Sequence, residues 1–197
     1  MSSRASRLGP APSALERRTG GATYPLSHRL ERLVWGLVWG ALGTWTPAPL
    51  RPWRLFLVRL FGGRIASSAN IYGGVRIWMP RNLVMEDRAC LGPGVDCYCM
   101  DQITLRADSL VSQGAYLCGG THDIDDPDFP LRTGPIVIGA HAWVAARTMV
   151  GPGVTVGEGA VLGGGAVTFR DLESWTVYGG NPATPLRKRR LERQDAS

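Results

Sequence analysis

Histidine is scarce in this sequence, with three residues, His28, His122 and His141, in a chain of 197. A zinc hydratase built on a repetitive β-sheet needs three histidine ligands around one metal. Only His122 and His141 lie in the repetitive part of the chain described below. The sequence therefore argues against that class of enzyme and predicts no required metal.

Cysteines and long apolar runs are also few. The four cysteines occur without an apolar signal segment in residues 1–32, so we expect reduced structural thiols in a cytoplasmic protein. The first apolar run, residues 33–45, is shorter than the ~20 residues of a membrane-spanning helix. We therefore predict that this run does not cross a membrane.

Charge is distributed unevenly along the chain. Residues 1–64 carry ten arginines and two acids, residues 65–182 seven arginines and twelve acids, and residues 183–197 five bases and two acids. An acidic body thus carries two basic ends. In the N-terminal part the basic residues alternate with large aliphatic residues instead of forming a purely basic surface, which argues against nucleic acid as a partner.

A six-residue period dominates the second half of the sequence. A branched aliphatic residue recurs at every sixth position, and a glycine or alanine follows each one. This period fits neither an α-helix nor an extended strand, but it fits short strands joined by tight corners. The aliphatic positions are Ile138, Val144, Val150, Val156 and Leu162.

Three such strands complete one coil, so the repeat predicts an all-β solenoid, a parallel β-helix, over residues 65–169. Residues 1–26, rich in serine, arginine, glycine and proline, are expected to be disordered. Residues 170–197 are expected to close the solenoid and end in a basic tail. Fold alone does not define function.

The six-residue register breaks at two places. Ile77 predicts Leu83 as the next inward residue, whereas Leu105 follows Cys97 by eight residues and indicates a two-residue insertion. Twenty-one residues separate Leu117 from Ile138, which is not a multiple of six. The chain must therefore leave the solenoid in an excursion over residues 118–135, and excursions of this kind commonly carry function.

Residues 27–64 form a tryptophan- and arginine-rich arm. Their apolar spacing predicts a helix over residues 28–43, capped by Ser27, and a second helix over residues 53–61. Two interpretations remain open. The helices either cap the end of the solenoid, or residues 27–61 lie on a membrane surface, which tryptophan flanked by arginine favours.

His122 is the candidate catalytic residue. It lies inside the excursion and precedes Asp123 and a further acidic run. Histidine is the side chain best suited to exchange a proton near neutral pH, and a general base needs a partner that fixes its tautomer. Asp123 or a backbone carbonyl group could supply that partner.

Several segments together resemble the hexapeptide-repeat acetyltransferases. They include RLFGGRI, RIWMPRNL, the stretch SQGAYLCGGTHDIDDPDFPLRTGP with the repeats after it, and GNPA at residues 180–183. Within that family the sequence is most similar to the colanic acid biosynthesis acetyltransferases and to the maltose and galactoside group. The resemblance extends over about residues 27–190.

This resemblance implies a homotrimer of left-handed β-helices, with active sites between subunits and acetyl-coenzyme A as the acyl donor. His122 matches the base that deprotonates a sugar hydroxyl. Phe169 and Arg170 stand where many members have threonine and lysine. The residues that match coenzyme-binding positions are Trp143, Ala146, Gly164, Phe169, Arg170, Arg187 and Lys188.

The acceptor is implied to be a sugar or glycan of an exopolysaccharide. Relatives often carry asparagine on the acceptor-binding strand, whereas this chain reads VDCYCMDQ, so Asp96 or Asp101 is a candidate contact, together with Asp123. A free sugar or a natural-product hydroxyl is the alternative acceptor. A non-catalytic trimeric scaffold is the alternative function, and His122, Trp143 and the basic tail argue against it.

Overall fold

The computed structural model describes residues 24–191. Of the segment that is predicted to be disordered, residues 1–23 lie outside the described part of the chain. Its last residue, Leu26, begins the first helix and is therefore ordered. The last six residues of the basic tail also lie outside the described part. Residues 24–191 form two helices, a parallel solenoid and a C-terminal strand pair.

The predicted β-solenoid is confirmed, since parallel strands stack into three sheets that surround one core. Sheet A contains β1 (Arg64–Ile65), β4 (Leu83–Met85), β7 (Ile103–Leu105), β12 (Ile136–Ile138) and β15 (Thr155–Val156). Sheet B contains β2 (Asn70–Ile71), β5 (Cys90–Leu91), β8 (Leu110–Val111), β13 (Trp143–Val144), β16 (Val161–Leu162), β18 (Thr176–Gly179) and β19 (Thr184–Lys188). Sheet C contains β3 (Arg76–Ile77), β6 (Asp96–Tyr98), β9 (Tyr116–Cys118), β14 (Met149–Val150) and β17 (Val167–Thr168).

The periodic aliphatic residues point into the core, where Ile138, Val144, Val150, Val156 and Leu162 are fully buried. The small residue after each one is required by the corners. At Gly139, for example, an added Cβ would lie 2.7 Å from the backbone of residues 157 and 158 in the next coil. Tight corners thus explain the glycine positions of the repeat.

At the predicted inward residue Leu83 the repeat register is shifted by two positions. Met85, not Leu83, stacks between Ile65 and Leu105 in sheet A. A short 3₁₀ turn at Pro80–Asn82 adds two residues to this corner, as the predicted insertion after Cys97 does one coil later. Leu83 is nevertheless buried, because the lengthened strand β4 places a second side chain over the core.

The arm caps the open end of the solenoid. Helix α1 (Leu26–Leu42) buries Trp35 and Trp39, whose indole nitrogens donate to the carbonyl oxygens of Ile77 and Val75 at 2.7 and 2.8 Å. The helix follows Pro25, with no side-chain cap, so the expected Ser27 cap is wrong. Ser27 lies inside the first turn of the helix, two residues after Pro25.

The second helix, α2 (Arg51–Leu60), is attached through a buried cation. Arg54 is fully buried, and its guanidinium donates to the carbonyl oxygens of Ile71, Thr46, Pro47 and Ala48 and to the Thr46 hydroxyl. Burial lowers the pKa of Arg54 from its ordinary value. This side chain joins helix α2 and the loop before it to the first coil.

The predicted excursion is a β-hairpin that leaves the corner between sheets C and A. Strands β10 (Gly120–His122) and β11 (Leu131–Thr133) pair antiparallel, with His122 opposite Leu131. Glycines stand at both bases of the hairpin. A Cβ on Gly119 would approach the Tyr98 carbonyl oxygen to 2.7 Å, and one on Gly134 would approach the Gly153 nitrogen to 2.6 Å.

Candidate active site

His122 is exposed at the end of strand β10, and its ring is held by the hairpin itself. Its Nδ1 lies 2.6 Å from the carbonyl oxygen of Phe129. Since a carbonyl oxygen only accepts, Nδ1 carries a proton, and in the neutral ring the lone pair is therefore on Nε2. Nε2, the nitrogen that a general base needs, therefore points away from the Phe129 carbonyl group.

Asp123 does not hold the imidazole. Its carboxylate forms an ion pair with Arg132 on the opposite strand and accepts from the Asp125 amide at 3.2 Å. The Arg132 guanidinium holds the pKa of Asp123 below its usual value. Of the two orienting partners expected from the sequence, the structure therefore favours the backbone carbonyl, and Asp123 stabilises the hairpin.

A cavity of about 580 Å³ lies between the arm, the corner near Asp101 and the base of the hairpin. Asp101 and Thr133 line it, and Thr133 pairs with Gly120, two residues before His122. Tyr24 and His28 of the arm line its other side. Burial raises the pKa of Tyr24 to about 12, so its hydroxyl stays protonated at physiological pH.

Asp96 lies on the outer surface of sheet C and does not line this cavity. It is half-buried beside Tyr116, and Arg76 approaches it at 3.5 Å. Burial raises the pKa of Asp96, and the charge of Arg76 opposes this shift. The two aspartates that the sequence could not distinguish thus have different surroundings, and Asp101 is the one beside open space.

An aromatic row on sheet C was missed at the sequence level. Trp78, Tyr98 and Tyr116 follow one another with ring centroids 5.7 and 6.2 Å apart. His28 and Tyr24 extend the row to the cavity, at 5.3 and 5.4 Å from Trp78. The twenty-residue spacing between Trp78 and Tyr98, one lengthened coil, was the available signal.

Three predicted coenzyme-binding residues lie on or beside sheet B. The Trp143 ring is exposed, and its indole nitrogen donates to the Ser112 hydroxyl at 2.9 Å. Ala146 and Gly164 occupy the same position in successive coils, at the corner between sheets B and C. The Gly165 amide donates to the Ala146 carbonyl oxygen at 2.9 Å, and Gly164 leaves an open surface beside it.

The other four predicted coenzyme-binding residues are divided between two places. Phe169 and Arg170 are exposed at the corner between sheets C and A, with Phe169 against Gly151. Arg187 and Lys188 end strand β19, where Lys188 binds Glu173 and the Thr176 hydroxyl at 3.1 and 2.9 Å. The C-terminal residues thus form the edge of sheet B.

One chain alone does not bring these residues together. The hairpin with His122 and the pair Phe169 and Arg170 belong to the corner between sheets C and A, whereas Ala146 and Gly164 belong to the corner between sheets B and C. Sheet C separates the two corners. A single site that uses both sets needs a second copy of the chain.

Within residues 24–191, no group of three or more histidine, cysteine, aspartate and glutamate side chains is arranged to hold a metal ion. The four cysteines are free thiols. His141 is exposed at the corner between sheets A and B, 3.9 Å from Asp108. No helix in that part of the chain is long and apolar enough to cross a bilayer.

Comparison with known proteins agrees with this architecture. Residues 135–170 match the family described as bacterial transferase hexapeptide (six repeats). The chain is 40% identical over 156 residues to WcaF of Escherichia coli K12, covering 79% of this chain and 86% of that protein. The chain therefore belongs to the hexapeptide-repeat acetyltransferases. The name of WcaF assigns that relative to colanic acid biosynthesis as an acetyltransferase.

Solved structures share the fold. A maltose O-acetyltransferase from Clostridium difficile 630 aligns with a TM-score of 0.76 and 20% identity over 92% of this chain and 100% of that chain. A hexapeptide-repeat acetyltransferase from Vibrio cholerae O1 biovar eltor, solved with acetyl-coenzyme A, aligns with a TM-score of 0.72 and 21% identity over 91% of this chain and 100% of that chain. At these identities the likeness establishes the fold.

Proposed function

We propose that this protein transfers an acetyl group from acetyl-coenzyme A to a hydroxyl group of a sugar in exopolysaccharide biosynthesis, with His122 as general base. The observation that carries the proposal is the 2.6 Å contact between His122 Nδ1 and the Phe129 carbonyl oxygen. In the neutral imidazole it places the lone pair on Nε2, on an exposed hairpin of a protein from an acetyltransferase family. The relationship to WcaF supports the exopolysaccharide context.

In this mechanism His122 Nε2 removes the proton of the acceptor hydroxyl as its oxygen attacks the thioester carbonyl carbon. The tetrahedral intermediate collapses, the carbon–sulfur bond breaks, and the proton passes from the imidazolium to the departing thiolate. The products are an O-acetyl ester and coenzyme A. The Phe129 carbonyl stabilises the imidazolium that forms between the two proton transfers, because it accepts from Nδ1 in both states.

The corner at Ala146 and Gly164 offers a surface that fits the donor, acetyl-coenzyme A. Gly164 is exposed, and a Cβ there would contact only the Ala146 carbonyl oxygen, at 3.6 Å. The narrow pantetheine arm of coenzyme A needs such a corner, where backbone groups are reachable and no side chain intrudes. The Ala146 amide is a candidate donor to the thioester oxygen. Arg170, Arg187 and Lys188 are suited to the coenzyme phosphates.

We propose a homotrimer, which the same geometry supports. The donor corner and the His122 hairpin lie on opposite sides of sheet C in one chain. If three of these solenoids associate around a threefold axis, the hairpin corner of one chain faces the Ala146 corner of its neighbour. Each interface between two chains then completes one site. Trp143 then lines the acceptor end of the neighbour's site.

The acceptor is proposed to occupy the cavity beside Asp101. This cavity reaches the base of the His122 hairpin through Thr133, and it contains polar and aromatic side chains of the kind that bind sugars. Asp101 is therefore assigned to the acceptor in preference to Asp96. Acetyl-coenzyme A is abundant in the cytoplasm, where we propose the protein acts.

An acceptor screen with radiolabelled acetyl-coenzyme A tests the proposal, using free sugars, nucleotide sugars and lipid-linked oligosaccharides with wild type and His122→Ala. We expect acetyl transfer to a sugar and a loss of at least about a hundredfold in kcat for the variant. His141→Ala, another exposed histidine of the solenoid, is the control and should retain activity. Wild-type rates in His122→Ala would overturn the mechanism, whereas transfer only to non-sugar hydroxyls would overturn the acceptor.

A further inference from the structure

Helix α1 has two apolar faces, and only one of them is used by the fold. Trp35 and Trp39 point into the solenoid. At 3.6 residues per turn a second group of side chains lies on the opposite side of the helix, within a sector of about 100°. These side chains are between 50% and 66% exposed, and they are Leu26, Leu30, Leu33, Val34 and Leu37.

Helix α2 and the loop before it add further exposed apolar side chains. The rings of Trp53 and Phe56 stack at 5.6 Å on the outer side of α2. Trp53 donates to the Leu42 carbonyl oxygen at 2.8 Å, and Trp45 donates to that of Ala41 at 2.6 Å. Both indoles are therefore fixed at the C-terminal end of α1, beside its exposed face.

This surface, the arm face, concentrates exposed apolar side chains of the described chain. Of nineteen exposed large apolar residues in the part of the chain that the structure describes, eleven lie between residues 26 and 60. Water-exposed leucines at this density are unfavourable in a soluble monomer. We therefore expect the arm face to be covered by a binding partner.

Charge indicates the partner. Apart from Arg54, which is buried, residues 24–63 contain four arginines and one acid, Glu31. That acid is already paired with Arg81, while Arg29 and Arg59 are exposed. A second copy of the same basic surface would be repelled, whereas a surface of anionic headgroups over hydrocarbon matches both the charge and the leucines.

We propose that the arm face is a membrane-docking surface that lies on bilayers containing anionic lipid. Helix α1 lies in the plane of the interface with its leucines in the acyl boundary, and Trp45 and Trp53 sit at headgroup depth, where indole rings partition well. With 17 residues, the helix is too short to span the bilayer. The two interpretations of the arm are thus compatible, because opposite faces of α1 serve them.

Docking brings the acceptor cavity close to the bilayer, since Tyr24 and His28 at the start of the arm line that cavity. An acceptor sugar carried on a membrane lipid would then be presented to the site, a consequence that rests on the proposed function. Vesicle binding itself requires no acetyl transfer. Failure of docking and failure of the enzymatic proposal are therefore distinguishable.

Cosedimentation of the full-length protein with vesicles tests the proposal. We expect binding to vesicles of equal parts phosphatidylcholine and phosphatidylglycerol, weaker binding to phosphatidylcholine alone, and release by high salt. The double variant Leu33→Gln/Leu37→Gln should bind at least about tenfold more weakly than wild type, because two exposed leucines are lost from the contact. Leu186→Gln/Leu191→Gln changes two equally exposed leucines away from the arm and should bind as wild type.

Both double variants alter only exposed side chains, so circular dichroism should remain that of wild type. Light scattering reports the oligomeric state alongside. Two results would overturn the proposal. One is equal recovery of wild type with and without anionic vesicles. The other is loss of oligomers in Leu33→Gln/Leu37→Gln with unchanged vesicle binding, which would identify the arm face as a contact between copies.

Discussion

His122 Nδ1 lies 2.6 Å from the carbonyl oxygen of Phe129, seven residues further along the same hairpin. The hairpin therefore contains both the candidate base and the group that fixes its tautomer. A backbone acceptor cannot be removed by mutating a side chain. A mutational test must therefore target the ion pair between Asp123 and Arg132, which stabilises the hairpin.

Asp123→Asn should lower kcat by no more than about tenfold, far less than the loss expected for His122→Ala, because a positioning group acts only through the base. Steady-state kinetics with acetyl-coenzyme A and the acceptor measure the difference. Asp125→Asn changes an exposed neighbouring carboxylate and is the matched control. A loss in Asp123→Asn as large as in His122→Ala would mean that the carboxylate, rather than Phe129, orients the imidazole in the working enzyme.

The same ion pair predicts a pH dependence of hairpin order. Arg132 lowers the pKa of Asp123 in the folded state, so the pair stabilises the hairpin above the ordinary aspartate pKa. This stabilisation is lost as the pH falls through the lower folded-state value. Hydrogen exchange across residues 119–134 should be slower in wild type than in Asp123→Asn at neutral pH, and this difference should vanish in strong acid. A difference that persists there would contradict the assignment.

Asp101 and Asp96 should behave differently toward the acceptor. Asp101→Asn should lower kcat/KM for the acceptor by about tenfold or more, through loss of a charged hydrogen-bond acceptor in the cavity, while the KM for acetyl-coenzyme A stays unchanged. Asp96→Asn, on the outer side of sheet C, should change kcat/KM by less than about threefold. Initial rates at varied acceptor concentration measure both. The reverse ranking would place the sugar against sheet C.

The repeat of the second half was sufficient to predict the solenoid, because from Ile138 to Leu162 every inward position is aliphatic and a glycine or alanine follows each one. The first coils were harder to predict. The 3₁₀ turn at Pro80–Asn82 shifts the register, so that Met85 rather than Leu83 aligns with Leu105. Such an insertion costs little in a surface corner, so the sequence carries no strong mark of it.

The site was predictable only in part for a different reason. His122 stood out because it interrupts a regular repeat, whereas its partner is a backbone carbonyl group, which no residue type reveals. The cavity is formed by an arm residue, Tyr24, and by Asp101, which are far apart in sequence. Their proximity depends on how α1 packs, and that is decided by Trp35 and Trp39.

Gly164 should tolerate an added side chain in the fold but not in donor binding. Gly164→Val places its Cβ over an open corner, 3.6 Å from the Ala146 carbonyl oxygen, so the melting temperature should stay near that of wild type. The added methyl groups would occupy the proposed pantetheine path and raise the KM for acetyl-coenzyme A by about tenfold or more. Pro93→Val changes the same corner position three coils away and should leave this KM unchanged. An unaltered KM in Gly164→Val would remove the donor from this corner.

Arg54 should be the most costly single arginine of the arm to replace. Arg54→Met keeps the volume but leaves four carbonyl oxygens and the Thr46 hydroxyl without their buried donor. We expect the free energy of unfolding to fall by at least about 3 kcal/mol, measured by urea denaturation, since each unsatisfied buried acceptor is unfavourable.

Arg59→Met is the matched control, because Arg59 lies on the same helix, is exposed and donates to a single carbonyl oxygen, that of Ile65, at 2.9 Å. Its loss should cost about 1 kcal/mol or less. If detachment of the arm is the cause, limited proteolysis of Arg54→Met should cut first between residues 43 and 51, before the solenoid unfolds. Equal stability of the two variants would mean that Trp35 and Trp39, rather than the guanidinium, hold the arm on the first coil.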